Sequence, residues 1–234
     1  MYQTHKTYIR PGMKMLELIN DNPLLLIFLE HFNIDFAVGD KTVEQICMDS
    51  SIDRNVFIMI ANLYNGFMPS VKELEATTNL NDIINFLKNS HKYYKDDKYP
   101  EISTFIEMLG KKHDKESINM IKEFFIEYFN EVLEHLEYED ETVFPYFSAL
   151  SQDGRIKHET AFSVEEYREH HTDIETKLTD LKNLLLKHIS VKNELPLRRR
   201  LLISLFELEY DLHIHSMIEE KILLPLVERL EGNK

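Results

Sequence analysis

Apolar residues along most of this chain recur every three or four positions, the spacing of one face of an α-helix. From about Leu80 onward the pattern predicts four long helices. They cover "NLNDIINFLKNSHKYY" towards "FIEML" with an interruption near Pro100, "DKESINMIKEFFIEYFNEVLEHLEYEDETVF", "SVEEYREHHTDIETKLTDLKNLLLKHI", and a stretch from about Leu197 to Leu230. Alternating runs typical of strands are nearly absent. The predicted fold is all-α: an antiparallel four-helix bundle over residues 80–230, preceded by a small helical N-terminal domain over residues 1–75.

Each predicted helix of the bundle carries one apolar stripe with at least one histidine in it. The third helix shows the stripe most clearly, through Val164, Tyr167, His171, Ile174, Leu178, Leu181, Leu185 and His188. The stripes of the first, second and fourth helices are Leu80, Ile84, Leu87, His91 and Tyr94; Tyr128, Val132, His135 and Glu139; and Leu208, Leu212, His215, Glu219 and Ile222. Because such a stripe faces the core of a bundle, imidazole and carboxylate groups are predicted inside it.

The N-terminal segment contains two short helices separated by a Ser/Asp turn, in "KTVEQICMDSSIDRNVFIMIANLY". Thr42 and Gln45 have the spacing of a capping box. The pair resembles a helix-turn-helix in outline, so DNA binding is one interpretation. However, the second helix, "RNVFIMIANLY", is strongly apolar and supplies one arginine, which favours a role in the core.

Composition narrows the classes of protein. The chain has 27 basic and 41 acidic residues, so its formal charge of −14 disfavours non-specific binding to nucleic acid. The single cysteine, Cys47, excludes an intrachain disulfide framework and fits a reducing cytoplasm. The N-terminus has no signal-peptide pattern, and the longest apolar run, "PLLLIFL", is too short to span a bilayer. We therefore expect a soluble cytoplasmic protein without a membrane partner.

Two stretches, "EVLEHLEYEDETVFP" and "DLHIHSMIEEKILLP", repeat one chemical layout. In each, a histidine precedes a glutamate by four residues: His135 with Glu139, and His215 with Glu219. Residues four apart share a helix face, so each pair can reach one point in the bundle. A buried carboxylate needs a compensating charge. The layout therefore predicts a dinuclear metal site in which the two glutamates bridge the ions.

The spacing of the histidines extends the layout into two similar halves. His91 precedes His135 by 135 − 91 = 44 residues, and His171 precedes His215 by 215 − 171 = 44 residues. The halves are offset by 171 − 91 = 80 residues, which indicates two helical hairpins related by approximate twofold symmetry. The neighbouring His170 breaks this spacing, so His171 is the predicted ligand. The predicted metal ligands are His91, His135, Glu139, His171, His215 and Glu219.

Several alternatives stay open at this point. A lone histidine on such a stripe is commonly a hydrogen-bonded core residue, and a metal-free helical interaction module has the same periodicity. His188 lies near a helix end, His213 points away from His215, and the remaining histidines outside the stripes match no ligand pattern: His5, His31, His113 and His158. Glu131 and Asp211, one turn before the paired histidines, are candidate outer acceptors or part of an ion path. Solvated helix-edge carboxylates are the alternative for both.

The histidine-rich donor set indicates which metal to expect. No histidine has a glutamate three residues before it, so the Glu-x-x-His motif of ferritin-like carboxylate sites is absent. A nitrogen-rich set favours iron, although zinc and manganese accept the same ligands.

These six residues resemble the hemerythrin-like HHE cation-binding domain, and the "VFP" and "LLP" that follow Glu139 and Glu219 add to the resemblance. It covers roughly residues 80–230. More narrowly, the chain resembles the iron–sulfur cluster repair diiron proteins, since oxygen-carrying hemerythrins use five histidines rather than four. The resemblance implies two iron ions bridged by an oxygen atom and by the two carboxylates. It implies binding of nitric oxide or oxygen, a role in stress response, and damaged iron–sulfur proteins as partners.

The N-terminal domain departs from that family. The stretch "FNIDFAVGDKTVEQI" keeps the frame of the family's "GIDFCCGG", but Ala37 and Val38 occupy the positions of the cysteine pair. Cys47 is elsewhere and is expected to be a buried, inert thiol. The departure favours an alternative function: a diiron sensor of oxygen, nitric oxide or redox state that binds a partner protein without turnover. Whether the protein is an enzyme, and its oligomeric state, stay open.

Overall fold

A computed structural model describes residues 7–111, 115–153, 172–187 and 194–232, and these residues are predominantly helical. In those ranges the only extended pairing is one antiparallel bridge between Lys14 and Thr42. The α-helices are α1 Met15–Asp21, α2 Leu25–His31, α3 Val43–Ser50, α4 Arg54–Tyr64, α5 Val71–Ala76, α6 Leu80–Lys92, α7 Tyr99–Gly110, α8 Lys115–Tyr138, α9 Phe144–Asp153, α10 Thr172–Lys187, α11 Leu195–Ile218 and α12 Leu224–Gly232. The fold is an all-α helical bundle, as the periodicity predicts.

The described residues fall into two compact units. The first contains residues 7–90, 144–153 and 214–232, and the second contains residues 91–111, 115–143, 172–187 and 194–213. Helices α6 and α11 are each continuous and contribute residues to both units. The predicted boundary between residues 75 and 80 stays a prediction. Among the described helices, none has the length and apolar character that crossing a bilayer requires.

The N-terminal part of the first unit is built around an aromatic cluster. The ring of Phe28 lies 4.7 Å from the ring of Phe57 and 5.5 Å from that of Tyr64, centroid to centroid. All three side chains are fully buried. Such edge-to-face ring pairs stabilise a core beyond the area that they bury. Helix α4, which supplies two of these rings, therefore packs in the hydrophobic core. Its apolar sequence favours this role over DNA binding.

Local signals in the sequence explain where α3 and α4 begin. Thr42 accepts a hydrogen bond from the backbone N–H of Gln45, and Gln45 accepts one from the backbone N–H of Thr42, so the predicted capping box is present. Asp53 caps α4 by accepting from the backbone N–H groups of Asn55 and Val56. The turn between the two helices passes through Ser51 in a left-handed conformation, with φ 56°.

The last helix of the chain holds the end of α5 in the first unit. The guanidinium of Arg229 donates to the backbone carbonyls of Leu74 at 2.9 Å and Thr77 at 2.6 Å. The last carbonyl groups of a helix have no N–H partner in the next helical turn. A cation there accepts the role of donor to them and also interacts favourably with the negative end of the helix dipole.

In the second unit the predicted stripes lie in the core. The apolar side chains that test them are at most 7% exposed: Tyr128, Val132, Leu178, Leu181, Leu185, Leu208 and Leu212. The side chain of His135, on the same stripe as Tyr128 and Val132, is 11% exposed. Helix α8 packs against both α7 and α10, so its apolar stripe is covered from two sides. The stripe predicted for the third helix is tested only from Leu178 onward, because Val164, Tyr167, His171 and His188 lie outside the described residues.

Within the described ranges, three π-helical turns interrupt the long helices, at Tyr93–Lys98, Glu139–Val143 and Glu219–Leu223. Each is followed, two residues after its end, by a proline: Pro100, Pro145 or Pro225. Proline lacks a backbone N–H, and its ring collides with the carbonyl four residues earlier in a regular α-helix. The wider π turn relieves that collision. The interruption predicted near Pro100 is therefore a widened turn through which the helix continues.

We predict that Arg229→Ala destabilises the protein by about 1.5–3 kcal/mol, because two carbonyls near the end of α5 lose a charged donor. Urea unfolding followed by circular dichroism measures the change. Arg54→Ala is the matched control, since Arg54 forms an exposed ion pair with Glu44 and pairs of that kind contribute about 0–1 kcal/mol. Equal losses for the two variants would contradict the role assigned to Arg229.

Candidate metal centre

In the second unit, Glu139 lies between two imidazole rings. Its carboxylate has no solvent exposure, and it occupies the first position of the π turn that follows α8. Atom Oε1 lies 3.0 Å from Nε2 of His135, one helical turn earlier, and Oε2 lies 3.3 Å from Nε2 of His91 on α6. Each carboxylate oxygen therefore faces one imidazole nitrogen.

The other nitrogen of His91 is held by a second carboxylate. His91 Nδ1 lies 3.0 Å from Oδ1 of Asp140, and Lys95 Nζ donates to Oδ2 of Asp140 at 3.2 Å. Burial acts to raise the pKa of Asp140, but the hydrogen bond to His91 and the charge of Lys95 outweigh it and lower the pKa. Because an ionised carboxylate only accepts hydrogen bonds, Nδ1 of His91 carries the proton. In the neutral ring, the lone pair on Nε2 then points towards Glu139.

The first unit contains two further predicted ligands, His215 and Glu219. Glu219 has no solvent exposure and begins the π turn that follows α11. Its Oε1 lies 3.1 Å from Nε2 of His215, again one helical turn earlier. The hydroxyl of Ser90 donates to the carbonyl of Leu87 at 2.7 Å, so its oxygen is left to accept from Nδ1 of His215 at 2.8 Å. In the neutral ring, the lone pair on Nε2 of His215 therefore points towards Glu219.

These distances fit shared coordination of a transition metal ion. Nitrogen and oxygen ligands bind such ions at about 2.0–2.2 Å, which places neighbouring ligand atoms about 3.0 Å apart in an octahedral site and about 3.4 Å apart in a tetrahedral one. The three nitrogen-to-oxygen separations, 3.0, 3.3 and 3.1 Å, lie in that range. Neutral imidazole and ionised carboxylate form a donor set that accepts iron, zinc or manganese. Each half therefore fits a bound metal ion.

The remaining predicted residues have these positions. His171 lies outside the described residues. Glu131 is half exposed, and its carboxylate forms an ion pair with Lys177, so its predicted role beside His135 stays a prediction. Asp211 is buried at 1% exposure, and its Oδ2 accepts a hydrogen bond from the hydroxyl of Tyr94 at 2.8 Å.

The contacts that orient the two histidines were not predicted from the sequence. Ser90 directly precedes His91, and Asp140 directly follows Glu139. A weak signal exists for Asp140, because each candidate glutamate is followed by a second acidic residue, Asp140 or Glu220. In the structure Glu220 is exposed and pairs with Lys221, so the repeat does not extend to this position.

The position of Cys47 in helix α3 confirms the expectation that the cysteine is buried. Cys47 is buried at 3% exposure, and burial raises the pKa of its thiol to about 12. A thiol of that kind stays protonated and unreactive near neutral pH. Ala37 is exposed and Val38 is buried, so neither position of the family's cysteine pair offers sulfur.

Comparison with known proteins finds a distant relative. The chain is 21% identical over 214 residues to a protein named iron-sulfur cluster repair protein ScdA from Staphylococcus haemolyticus (strain JCSC1435). The alignment covers 88% of this chain and 94% of that protein. The likeness runs along nearly the whole of both chains. No protein-family model matches the chain.

We predict that Ser90→Ala lowers the affinity for ferrous iron by about tenfold, because His215 loses the acceptor that fixes its protonated nitrogen. Anaerobic calorimetric titration with ferrous iron measures the affinity. Ser204→Ala is the matched control, since Ser204 is also buried and its hydroxyl donates to Glu101 at 2.6 Å, away from the predicted ligands. A similar loss in both variants would assign the effect to general destabilisation.

Proposed function

We propose that this protein holds two iron ions and acts in the repair of iron–sulfur clusters. The proposed ligands are those predicted from the sequence: His91, His135, Glu139, His171, His215 and Glu219. The distant relative carries the name of an iron–sulfur cluster repair protein, and its alignment includes most of this chain. The proposal combines that likeness with the geometry of two clusters: His91, His135 and Glu139 in the second unit, and His215 with Glu219 in the first.

One observation carries the proposal: a carboxylate with no solvent exposure sits between two imidazole nitrogens. Removing a carboxylate from water costs several kcal/mol unless a cation compensates it. Glu139 offers one oxygen to His135 and the other to His91, at 3.0 and 3.3 Å. That arrangement is expected of a carboxylate that bridges two ions, with one histidine on each ion.

The second half supports the same interpretation. His215 and Glu219 repeat the geometry of His135 and Glu139, at 3.1 Å against 3.0 Å, and both glutamates begin a π turn. Turns of this type occur frequently at functional sites in helices. The equal spacing in the sequence then assigns His171 to the position in the second hairpin that His91 has in the first.

The protein's own residues prepare the site for the metal. Asp140 and Ser90 hold protons of His91 and His215 on Nδ1, so both rings in their neutral form present a lone pair on Nε2. The full burial of Glu139 and Glu219 keeps their oxygens away from bulk water. Bound iron would supply open coordination positions and one-electron chemistry, with nitric oxide or oxygen as the proposed ligand. The proposed protein partners are damaged iron–sulfur proteins.

A sensor is the second candidate function. The observation that favours it is the lack of sulfur at Ala37 and Val38, together with the unreactive thiol of Cys47. Repair that requires thiol transfer of metal or sulfur cannot use these positions. A sensor needs only a ligand-dependent change in partner binding.

We predict that protein purified in air contains about two iron ions per chain and a near-ultraviolet absorption band. His135→Ala and His215→Ala lose the band and at least half of the iron, because each removes a ligand. His213→Ala is the control, since His213 is exposed on the same helix as His215. Chelation of the metal should lower the melting temperature of the native protein, because the buried carboxylates lose their compensating charge. Native protein free of transition metal would refute the iron site.

We also predict that the iron-loaded protein reactivates a dehydratase whose iron–sulfur cluster has been damaged by nitric oxide. Glu139→Gln should abolish reactivation because the neutral amide no longer supplies a bridging charge. Glu141→Gln, an exposed position two residues away, should retain it. Recovery of dehydratase activity over time is the measurement. Iron binding without reactivation, accompanied by partner binding that depends on nitric oxide or oxygen, would favour the sensor.

A further inference from the structure

A phenol and a carboxylate are buried together in the second unit. Tyr94, in the π turn that follows α6, has no exposed surface, and Asp211 of α11 is 1% exposed. The hydroxyl of Tyr94 donates to Oδ2 of Asp211 at 2.8 Å. A buried phenol needs a hydrogen-bond acceptor, but a neutral acceptor satisfies it at a lower cost than a carboxylate does. Buried ionisable groups of this kind concentrate at functional sites.

Two further contacts hold the same two segments of the second unit in register. The ammonium of Lys98 lies 2.9 Å from the carboxylate of Glu207 on α11, and the hydroxyl of Ser204 donates to Glu101 at 2.6 Å. In these contacts the carboxylates reach solvent, since the side chains are 38% exposed in Glu101 and 24% exposed in Glu207. The buried pair therefore forms the innermost contact of a fixed series.

The buried pair lies close along the chain to the predicted ligands. Tyr94 follows His91 by three residues, and Asp211 precedes His215 by four residues on the continuous helix α11. Three or four residues span about one helical turn. Both groups are thus placed one turn from a residue of the proposed iron site, although neither is one of its proposed ligands.

We propose that Tyr94 is a one-electron donor to the proposed iron site and that Asp211 accepts the proton that Tyr94 releases. When Tyr94 is oxidised, its O–H bond breaks. One electron passes to an oxidised iron ion, which is reduced by one unit, and the proton crosses the hydrogen bond to Oδ2 of Asp211. The products are a neutral tyrosyl radical and a protonated carboxyl group, so atoms and charge balance. This role rests on the proposed function, because the proposed iron is the oxidant.

The geometry meets two requirements of such a donor. A phenol is oxidised far more readily when a base takes its proton in the same step, and proton transfer needs heavy atoms within about 2.6–3.2 Å of each other. The 2.8 Å contact between Tyr94 and Asp211 lies in that range. A radical also has to be kept from water and dissolved reductants, which a closed interior achieves. The complete burial of Tyr94 supplies that protection.

Photochemical oxidation of the full-length chain loaded with zinc tests the donor without iron, because zinc has no redox chemistry of its own. After a laser flash with a ruthenium tris-bipyridine oxidant, we expect a long-lived tyrosyl radical in electron paramagnetic resonance spectra. Tyr94→Phe should lose this signal. Asp211→Asn should lower its yield at least about tenfold, because the amide still accepts the hydrogen bond but takes no proton.

Tyr64→Phe is the matched control for the photochemical experiment, since Tyr64 is also fully buried but belongs to the aromatic cluster of the first unit. It should retain the signal, and circular dichroism melting should show that all three variants fold. A native chain without the long-lived radical overturns the proposal. A signal that survives Tyr94→Phe, or an Asp211→Asn yield equal to the native yield, does the same.

Reaction with hydrogen peroxide tests where the electron goes. A stoichiometric amount should generate the same radical in the iron-loaded native chain, but not in the zinc-loaded chain or in iron-loaded Tyr94→Phe. Iron content measured on the same samples separates this role from the proposed function. Bound iron without the radical refutes the role of Tyr94 alone. A chain that takes up no iron refutes the proposed function and, with it, the destination of the electron.

Discussion

The burial of two ionisable carboxylates is the constraint on which the interpretation of this protein depends. Glu139 and Glu219 have no exposure to solvent, and each lies within 3.3 Å of at least one imidazole nitrogen. An ionised carboxylate in such a place requires positive charge nearby. If the imidazole rings are neutral, their lone pairs face the oxygens, so the arrangement is compatible with a metal cation that supplies this charge.

Much of this arrangement follows from helix geometry that a sequence already contains. A histidine and a glutamate four residues apart lie on one helix face whatever the surrounding packing, so His135 with Glu139 and His215 with Glu219 could be predicted as pairs. The apolar periodicity likewise identifies the buried leucines of α10 and α11, because burial follows the stripe. The helical class of the fold is therefore predictable from local patterns alone.

Contacts that depend on how helices cross could not be predicted in this way. Ser90 and Asp140 are next to candidate ligands in sequence, yet adjacent residues of a helix point about 100° apart, so neither shares the ligand face. Their contacts with His215 and His91 depend on which other helix lies alongside. The sequence instead indicated Glu131 and Asp211, which lie on the ligand face one turn earlier. The structure pairs Glu131 with Lys177 and Asp211 with Tyr94, contacts that depend on tertiary packing.

The π turns have a consequence for how the protein can be altered. Each amounts to one extra residue accommodated within a helix, so the apolar positions before and after it still face the same side. Removing one residue from Glu139–Val143, with Pro145 replaced by alanine, would leave an ordinary α-helix with its core leucines and aromatic residues in place. The residues inside the turn, Asp140 among them, would change direction, whereas Glu139 would stay on the helix face of His135. The helical scaffold thus depends on different residues of this helix from the contact between Asp140 and His91, and a shorter chain could keep the scaffold while losing that contact.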